Sequence, residues 1–88
     1  QAQGKEVLQV NIEDGDNNEI FKALQELGSV EAVDFIKDKS NSFEIQSKPD
    51  LSSRRAILDL CVKNKWALLE MTVFETKLED IFRELTMN

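Results

Sequence analysis

The acidic stretch from Asp14 to Glu19 is the part of the sequence that comes closest to a metal-binding loop. It reads DGDNNE, and spaced Asp and Asn oxygens are the ligands of a calcium loop. However, the sixth position holds Glu19 where such a loop needs Gly, and the twelfth holds Gln25 instead of a bidentate Glu. The stretch therefore predicts a solvated turn and a helix that begins with a capping Asp16.

Cys61 and Trp66 are the other residues with chemical potential. Cys61 is the single cysteine in a sequence without His, so neither an activating base nor a zinc ligand set is at hand. Its place on the apolar face of a predicted helix indicates a small core residue. Trp66 stands at a predicted helix-to-strand junction, where an aromatic ring usually closes the edge of a core.

Catalytic and nucleotide-binding motifs are missing from the sequence. It contains neither G-x-S-x-G nor G-x-x-x-x-G-K-[ST], and its three glycines, Gly4, Gly15 and Gly28, are too dispersed to hold a phosphate group. We therefore expect no enzyme activity from this chain. We assign it no catalytic, cofactor-binding or metal-binding residue and no cofactor.

The charge balance argues against a nucleic-acid partner. Eleven basic and 17 acidic residues give a net charge of -6, which repels a phosphate backbone at long range. Four basic residues cluster around the second predicted helix, namely Arg54, Arg55, Lys63 and Lys65. RNA-recognition domains are built on a four-stranded sheet. They carry paired aromatic residues on the central strands and an RNP-like sequence motif, and this sequence has neither. A solvated helix face, or a patch that meets an acidic surface, is the favoured interpretation.

Length and composition predict one domain over residues 1–88. The chain has no linker, and its longest apolar run is far too short to cross a bilayer. A lone cysteine and a polar N-terminus favour the reducing cytoplasm. The first residue is Gln1 rather than Met, and a strand-like pattern follows at once, so we expect a piece excised from a longer protein.

The first half of the chain predicts a strand, a helix and a hairpin. Leu8, Val10 and Ile12 alternate with polar residues, which is typical of a half-buried strand. A helix that Gly28 ends carries four apolar residues: Ile20, Phe21, Leu24 and Leu27. Two further strands, 30–36 and 43–46, flank the polar hairpin Lys37 to Asn41.

The second half predicts a helix, a strand and a final helix. After Pro49, one of Asp50, Ser52 or Ser53 caps a helix that Asn64 ends. Its inward stripe consists of Ile57, Leu60 and Cys61, and Leu69, Met71 and Val73 form the fourth strand. Thr76 and Glu79 fit a capping box for a helix from Lys77 to Thr86.

The predicted fold class is α+β, a ferredoxin-like βαββαβ antiparallel sheet with an additional C-terminal helix. Right-handed crossovers place the first and third strands at the centre and both leading helices on one face. Four apolar edge-strand residues are then expected on the opposite face: Val33, Phe35, Leu68 and Phe74. The final helix has an apolar stripe at Leu78, Ile81, Phe82 and Leu85. It is expected to cover that face or to bind a partner.

The closing segment WALLEMTVFETKLEDIFRELT, which starts at Trp66, resembles the end of the ATP-binding subunits of bacterial ABC-2-type transporters. Those chains commonly finish on a version of LEDVFLELT, which residues 78–82 and 84–86 match. The upstream order of elements also resembles the accessory domain that follows the nucleotide-binding domain in that family. Asn64 and Lys65 stand where the family pattern leads us to expect Gly, and the ending with Arg83 is similar to the gliding-motility-associated branch.

This resemblance implies a regulatory or structural role. The motifs that bind ATP and Mg²⁺ would lie in a preceding domain, and the implied partners are the chain's own ATPase domain, a second ATP-binding subunit and the membrane permease. The implied location is cytoplasmic and peripheral to the inner membrane, with no direct membrane insertion and no nucleic acid.

Two alternatives remain from other classes. Ferredoxin-like regulatory modules of the ACT-like kind bind small molecules, and Asp14-Gly15-Asp16 is a weak version of their glycine-rich turn. An RNA-binding domain is the less favoured alternative, since it requires salt-sensitive binding to single strands by an acidic chain.

Overall fold

The computed structural model describes residues 4–77, which form an α+β unit with two helices and one four-stranded antiparallel sheet. The elements are β1 (Gly4–Glu13), α1 (Asn17–Gln25), β2 (Val30–Phe35), β3 (Ser42–Ser47), α2 (Arg54–Asn64) and β4 (Ala67–Lys77). The predicted order βαββαβ is confirmed. Across the sheet the order is β2-β3-β1-β4, so β1 and β3 lie at the centre. This arrangement is compatible with a small ferredoxin-like fold.

The hydrophobic core lies between the sheet and the two helices. The alternation that predicts β1 is confirmed, because Leu8, Val10 and Ile12 are all buried. They pack with the central residues of β3 and with one face of each helix, namely Phe43, Ile45, Ile20, Leu24, Ile57 and Cys61. Full burial of an aliphatic or aromatic side chain contributes roughly 1.5–3 kcal/mol, so this cluster is the main source of stability.

The ends of α1 follow the sequence signals only in part. Asp16 is the N-cap, as predicted, and its carboxylate accepts hydrogen bonds from the backbone N–H groups of Asn18 and Glu19, both at 3.1 Å. The prediction that Gly28 ends the helix is wrong. The helix ends at Gln25. Glu26 follows it in ordinary right-handed geometry, and the Glu26 N–H donates hydrogen bonds to carbonyls of the last turn.

The ends of α2 also differ from the prediction by small steps. Ser53 is the N-cap, but its side chain does not cap the helix. The left-handed residue at the other end is Lys65, with φ 60°, and not Asn64. The Asn64 side chain instead donates to the carbonyl of Leu60 at 2.9 Å. This bond holds Asn64 in the helix, so the left-handed residue that ends the helix is the next one, Lys65.

A bulge in β2 overturns the predicted position of Val33 and Phe35. The register between β2 and β3 shifts between Val30 and Ala32, so Val33 faces Ile45 on the helix side of the sheet. Val33 is consequently a core residue. Phe35 lies on the same side, where its ring stacks on that of Phe21 with centroids 4.4 Å apart. An extra residue in a strand reverses the alternation beyond it.

A second irregularity has the same effect on β4. The register between β1 and β4 shifts so that Ile12 pairs with Leu68 while Asn11 pairs with Glu70. The prediction that Leu68 faces away from the helices is therefore wrong, since it packs against the core. Leu69, at the irregularity, is 67% exposed instead of facing the helices. The prediction holds only for Phe74, opposite Val7 on the open face.

The open face of the sheet is consequently more polar than the sequence predicts. Its central positions belong to Gln9, Asn11, Glu44, Gln46 and Thr72. The final helix predicted over Lys77 to Thr86 falls mostly outside the described residues. The structure includes Thr76 and Lys77 in β4, so a helix with Thr76 as its cap cannot begin at Lys77.

Candidate functional site

Glu6 is the buried carboxylate at one end of the sheet. It belongs to β1 and lies on the same side as Leu8, with only 6% of its surface exposed. Its Oε1 accepts hydrogen bonds from the Ser47 hydroxyl at 2.7 Å and from the Ser53 backbone N–H at 2.8 Å. Its Oε2 accepts from the Ser52 hydroxyl at 2.8 Å and from Arg54 Nε at 2.9 Å.

Three serine hydroxyls extend this network away from Glu6. The Ser53 hydroxyl lies 2.7 Å from that of Ser47 and 2.8 Å from that of Ser29. Each hydroxyl has a single proton to donate. Since Ser47 gives its proton to Glu6, Ser53 must donate to Ser47 and Ser29 to Ser53. The carboxylate therefore fixes the direction of a chain that joins three separate segments of the fold.

Charge complementarity explains why an ionised carboxylate is stable in this position. Burial raises the pKa of Glu6, but the hydrogen bonds from the Ser53 N–H, Ser47, Arg54 and Ser52 outweigh it, and together they lower the pKa from 4.5 to about 2. The carboxylate also sits at the N-terminus of α2, where the free N–H groups and the helix dipole favour negative charge. Glu6 thus caps α2 from a neighbouring strand.

This network is built for structure, because every strong acceptor position on Glu6 is already used by the protein. Sequence reasoning did not single out Glu6, although a signal was present: it lies two residues before Leu8, in phase with the apolar residues of β1. An acid in the buried phase of a strand requires partners. The serines that provide them surround Pro49 and could not be paired with Glu6 without the fold.

The basic residues that cluster in the sequence are divided between the two ends of α2. Arg54 and Arg55 lie in its first turn, while Lys63 is in the last turn and Lys65 follows it. A helix rises about 1.5 Å per residue, so the two pairs stand on the order of 15 Å apart. Arg54 forms the ion pair with Glu6, which leaves no continuous basic patch along the helix.

A cleft of about 300 Å³ lies between α2 and β4, and we call it the α2–β4 cleft. It is lined by Arg54, Arg55, Leu58, Leu68 and Met71. Leu58 is about half exposed although it lies on a helix that borders the core. Three of its five lining residues are apolar, and Arg54 is the only one of the five that belongs to the Glu6 network.

The remaining candidates of the sequence occupy structural positions. The loop around Asp14 provides the cap of α1, and Trp66 packs over Gly15 at the edge of the core. Cys61 is buried, and burial raises the pKa of its thiol, which disfavours the reactive thiolate. Both the core role of Cys61 and the edge-closing role of Trp66 are confirmed.

Among the side chains that the structure describes, no three from His, Cys, Asp or Glu converge as metal ligands. Within residues 4–77, neither helix has the length and hydropathy to cross a membrane. Comparison of the chain with family models, with curated proteins and with solved structures gives no match.

Proposed function

We propose that this chain is a non-catalytic accessory domain that acts through contacts with other proteins. Following the resemblance of its closing segment, we place it in the ATP-binding subunit of an ABC transporter, after the nucleotide-binding domain. In this proposal the fold is ferredoxin-like with an additional C-terminal helix. The domain contacts its own ATPase domain, a second ATP-binding subunit or the permease, at the cytoplasmic side of the inner membrane.

The observation that supports this function is the concentration of exposed apolar side chains on α2 and β4. Of the seven large apolar residues exposed in the described part of the chain, five belong to these two elements: Leu58, Val62, Leu69, Val73 and Phe74. Val62 is 70% exposed. These side chains lie on both faces of β4, because Val73 pairs with Leu8 on the helix side and Phe74 pairs with Val7 on the open face. Exposed apolar surface concentrated on two neighbouring elements favours protein association.

The hydrogen bonds of the Glu6 network also favour a non-catalytic role. Glu6 has its acceptors filled by four protein donors, so proton transfer to a substrate would require breaking the α2 cap. A catalytic carboxylate is normally poised near the working pH, whereas the pKa of Glu6 is held at about 2. The network is therefore better suited to rigidity than to turnover.

The test of this function uses the complete ATP-binding subunit. Leu69 and Phe74 are replaced together by Lys, because both are exposed and neither supports the core. Buried apolar anchors of an interface commonly contribute 2 kcal/mol or more. We therefore expect assembly with the permease, measured as an affinity in detergent, to weaken by about tenfold or more.

The matched control is Gln25→Lys, a charge change at an exposed position of α1 on the other side of the molecule. It should leave assembly and the ATPase rate unchanged. Both variants are first shown to melt at the wild-type temperature. If the double variant assembles and hydrolyses ATP like the control, the proposed contact role is wrong.

Sensing of a small molecule is a second candidate, and the α2–β4 cleft is the feature that favours it. Its volume of about 300 Å³ is at the lower limit of small-molecule sites. The glycine turn at Gly15, where the sequence suggested a ligand, is instead filled by the Trp66 indole.

Thermal-shift measurement of the chain against amino acids and other metabolites separates the two functions. A ligand at 100 times its dissociation constant stabilises the folded state by about 2.7 kcal/mol. Under the contact role we expect no compound to raise the melting temperature; a clear rise that Leu58→Lys removes would favour the sensor.

A further inference from the structure

The α2–β4 cleft combines an apolar floor with two arginines at one end, and we propose that its occupant is the closing segment of this same chain, residues 78–88. This inference goes beyond the proposed function, because it concerns an intramolecular contact. The segment would cover Leu58, Val62 and Val73, and Leu69 and Phe74 would remain for contacts with other proteins. It also differs from the sequence prediction, which placed the final helix on the opposite face of the sheet or on a partner.

The direction of β4 brings the segment to the correct end of the cleft. Arg54, in the first turn of α2, is bonded to Glu6 at 2.9 Å, and Glu6 pairs with Glu75 in the sheet. The start of α2 therefore lies beside the end of β4. At the other end, the backbone N–H of Trp66 donates a hydrogen bond to the carbonyl of Cys61 at 2.8 Å, so β4 begins beside the end of α2. The two elements therefore run antiparallel. A chain that leaves Lys77 and reverses direction enters the cleft at the arginines.

The length of the segment fits the surface to be covered. The apolar spacing of residues 78–86 predicts a helix, and a helix of nine residues would span roughly 14 Å. The stretch of β4 from Leu68 to Val73 spans roughly 17 Å at the rise of a strand. In this proposal a helix of that length has the reach to cover the apolar part of β4 without passing beyond it.

The apolar pattern of the segment matches the floor of the cleft. Its stripe recurs at i, i+3, i+4 and i+7, at Leu78, Ile81, Phe82 and Leu85, which forms one face of a helix. On the described side, the cleft walls are formed by Leu58, Leu68 and Met71. Val62 and Val73 continue the same surface on α2 and β4 and are exposed.

The charges match at the same end of the cleft. Glu79 and Asp80 lie at the beginning of the segment, where acidic residues also favour a helix N-terminus. Arg54 and Arg55 lie at the entrance, and the Arg54 side chain remains 51% exposed although its Nε is bonded to Glu6. The open face offers no such match, because its central positions are polar.

The test is methyl-labelled NMR of the whole 88-residue chain. We expect nuclear Overhauser contacts between the methyl groups of Ile81 or Leu85 and those of Leu58, Leu68 and Met71. Phe82→Glu should abolish these contacts, because it places a charge in the apolar stripe. Arg83→Glu is the matched control on the polar side of the segment, and it should retain them.

A second pair of variants changes the cleft instead of the segment, in case Phe82→Glu impairs folding. Leu58→Glu should abolish the contacts, while Leu69→Glu, on an exposed site outside the cleft, should keep them. A sample of mixed labelled and unlabelled chains decides whether the contacts are intramolecular. Contacts to Val7 or Phe74, contacts between two chains, or no contacts with the cleft would each overturn the proposal.

Discussion

Replacement of Glu6 by Gln is expected to lower the free energy of unfolding at pH 7 by roughly 2–4 kcal/mol. The carboxylate accepts four hydrogen bonds and provides none. In either orientation, the side-chain amide of Gln would turn its NH2 group toward two donors. These are Ser47 and Ser53 in one orientation, and Ser52 and Arg54 in the other. Removing one member of a buried charged pair leaves groups unsatisfied and typically costs several kcal/mol. Chemical denaturation of both proteins measures the difference.

The pH dependence of this effect identifies Glu6 as its source. The folded pKa of about 2 lies below the ordinary value of 4.5, so the stabilisation is fully present above pH 4.5. It is lost as the pH falls toward 2, and the lowering corresponds to on the order of 3 kcal/mol. Glu6→Gln cannot titrate. The difference in unfolding free energy between the two proteins should therefore shrink between about pH 4.5 and pH 2.

Glu44→Gln is the matched control for this experiment. Glu44 lies on the open face and accepts one hydrogen bond, from the Gln9 side chain at 3.2 Å. Half-exposed polar contacts of this kind contribute about 1 kcal/mol or less. A Glu6→Gln protein as stable as this control at pH 7, or a stability difference that does not change with pH, would contradict the structural role assigned to the carboxylate.

The order of elements was predictable because each strand and helix has its own local pattern. The alternation of Leu8, Val10 and Ile12 identifies β1, and Asp16 marks the start of α1 through hydrogen bonds to residues only two and three positions away. Such signals are contained in short stretches of sequence. No knowledge of the neighbouring strands is needed to interpret them.

The orientation of the edge strands was not predictable in the same way. Val33 and Leu68 face the core because the pairing with β3 and β1 shifts at a bulge. A one-residue shift exchanges the two faces of a strand, and its position depends on the partner strand. The error moved the expected apolar surface to the wrong side of the sheet and so concealed the α2–β4 cleft.

The Glu6 network was predictable in one part and not in another. The phase of Glu6 in β1 indicates a buried acid, but its donors come from residues 41 to 48 positions away along the chain. The sequence predicts Ser52 or Ser53 as a possible helix cap, but the hydroxyl of Ser53 instead joins Ser47 and Ser29. Local sequence cannot distinguish a serine that caps its own helix from one that lines a carboxylate site.

The second large effect is expected at Gly15, where no side chain can be added without a collision. A methyl group on its α carbon would lie 2.5 Å from Nε1 and 2.7 Å from Cδ1 of Trp66, and 3.0 Å from Cδ1 of Ile20. The loop cannot easily move away, because the Gly15 carbonyl accepts a hydrogen bond from the Asn41 side chain at 3.3 Å. Gly15→Ala should therefore destabilise the protein by about 1–3 kcal/mol.

Gly28→Ala is the control, since an added methyl group there meets nothing within 4 Å and its backbone does not require glycine. It should leave stability unchanged or raise it by about 0.5 kcal/mol, because alanine restricts the unfolded chain. Tryptophan fluorescence provides a second measurement. Gly15→Ala should shift the emission of Trp66 to longer wavelength as the ring moves toward water, and Gly28→Ala should not.

The collision itself is isolated by a double-mutant cycle with Trp66→Leu, which removes the ring that the methyl group would meet. If the contact between Gly15 and Trp66 causes the loss, Gly15→Ala should cost at least 1 kcal/mol less in the Trp66→Leu background than in the wild type. Equal costs in the two backgrounds would mean that the loop resists alanine for another reason. In that case the packing of Trp66 over Gly15 would not be what makes glycine necessary at this position.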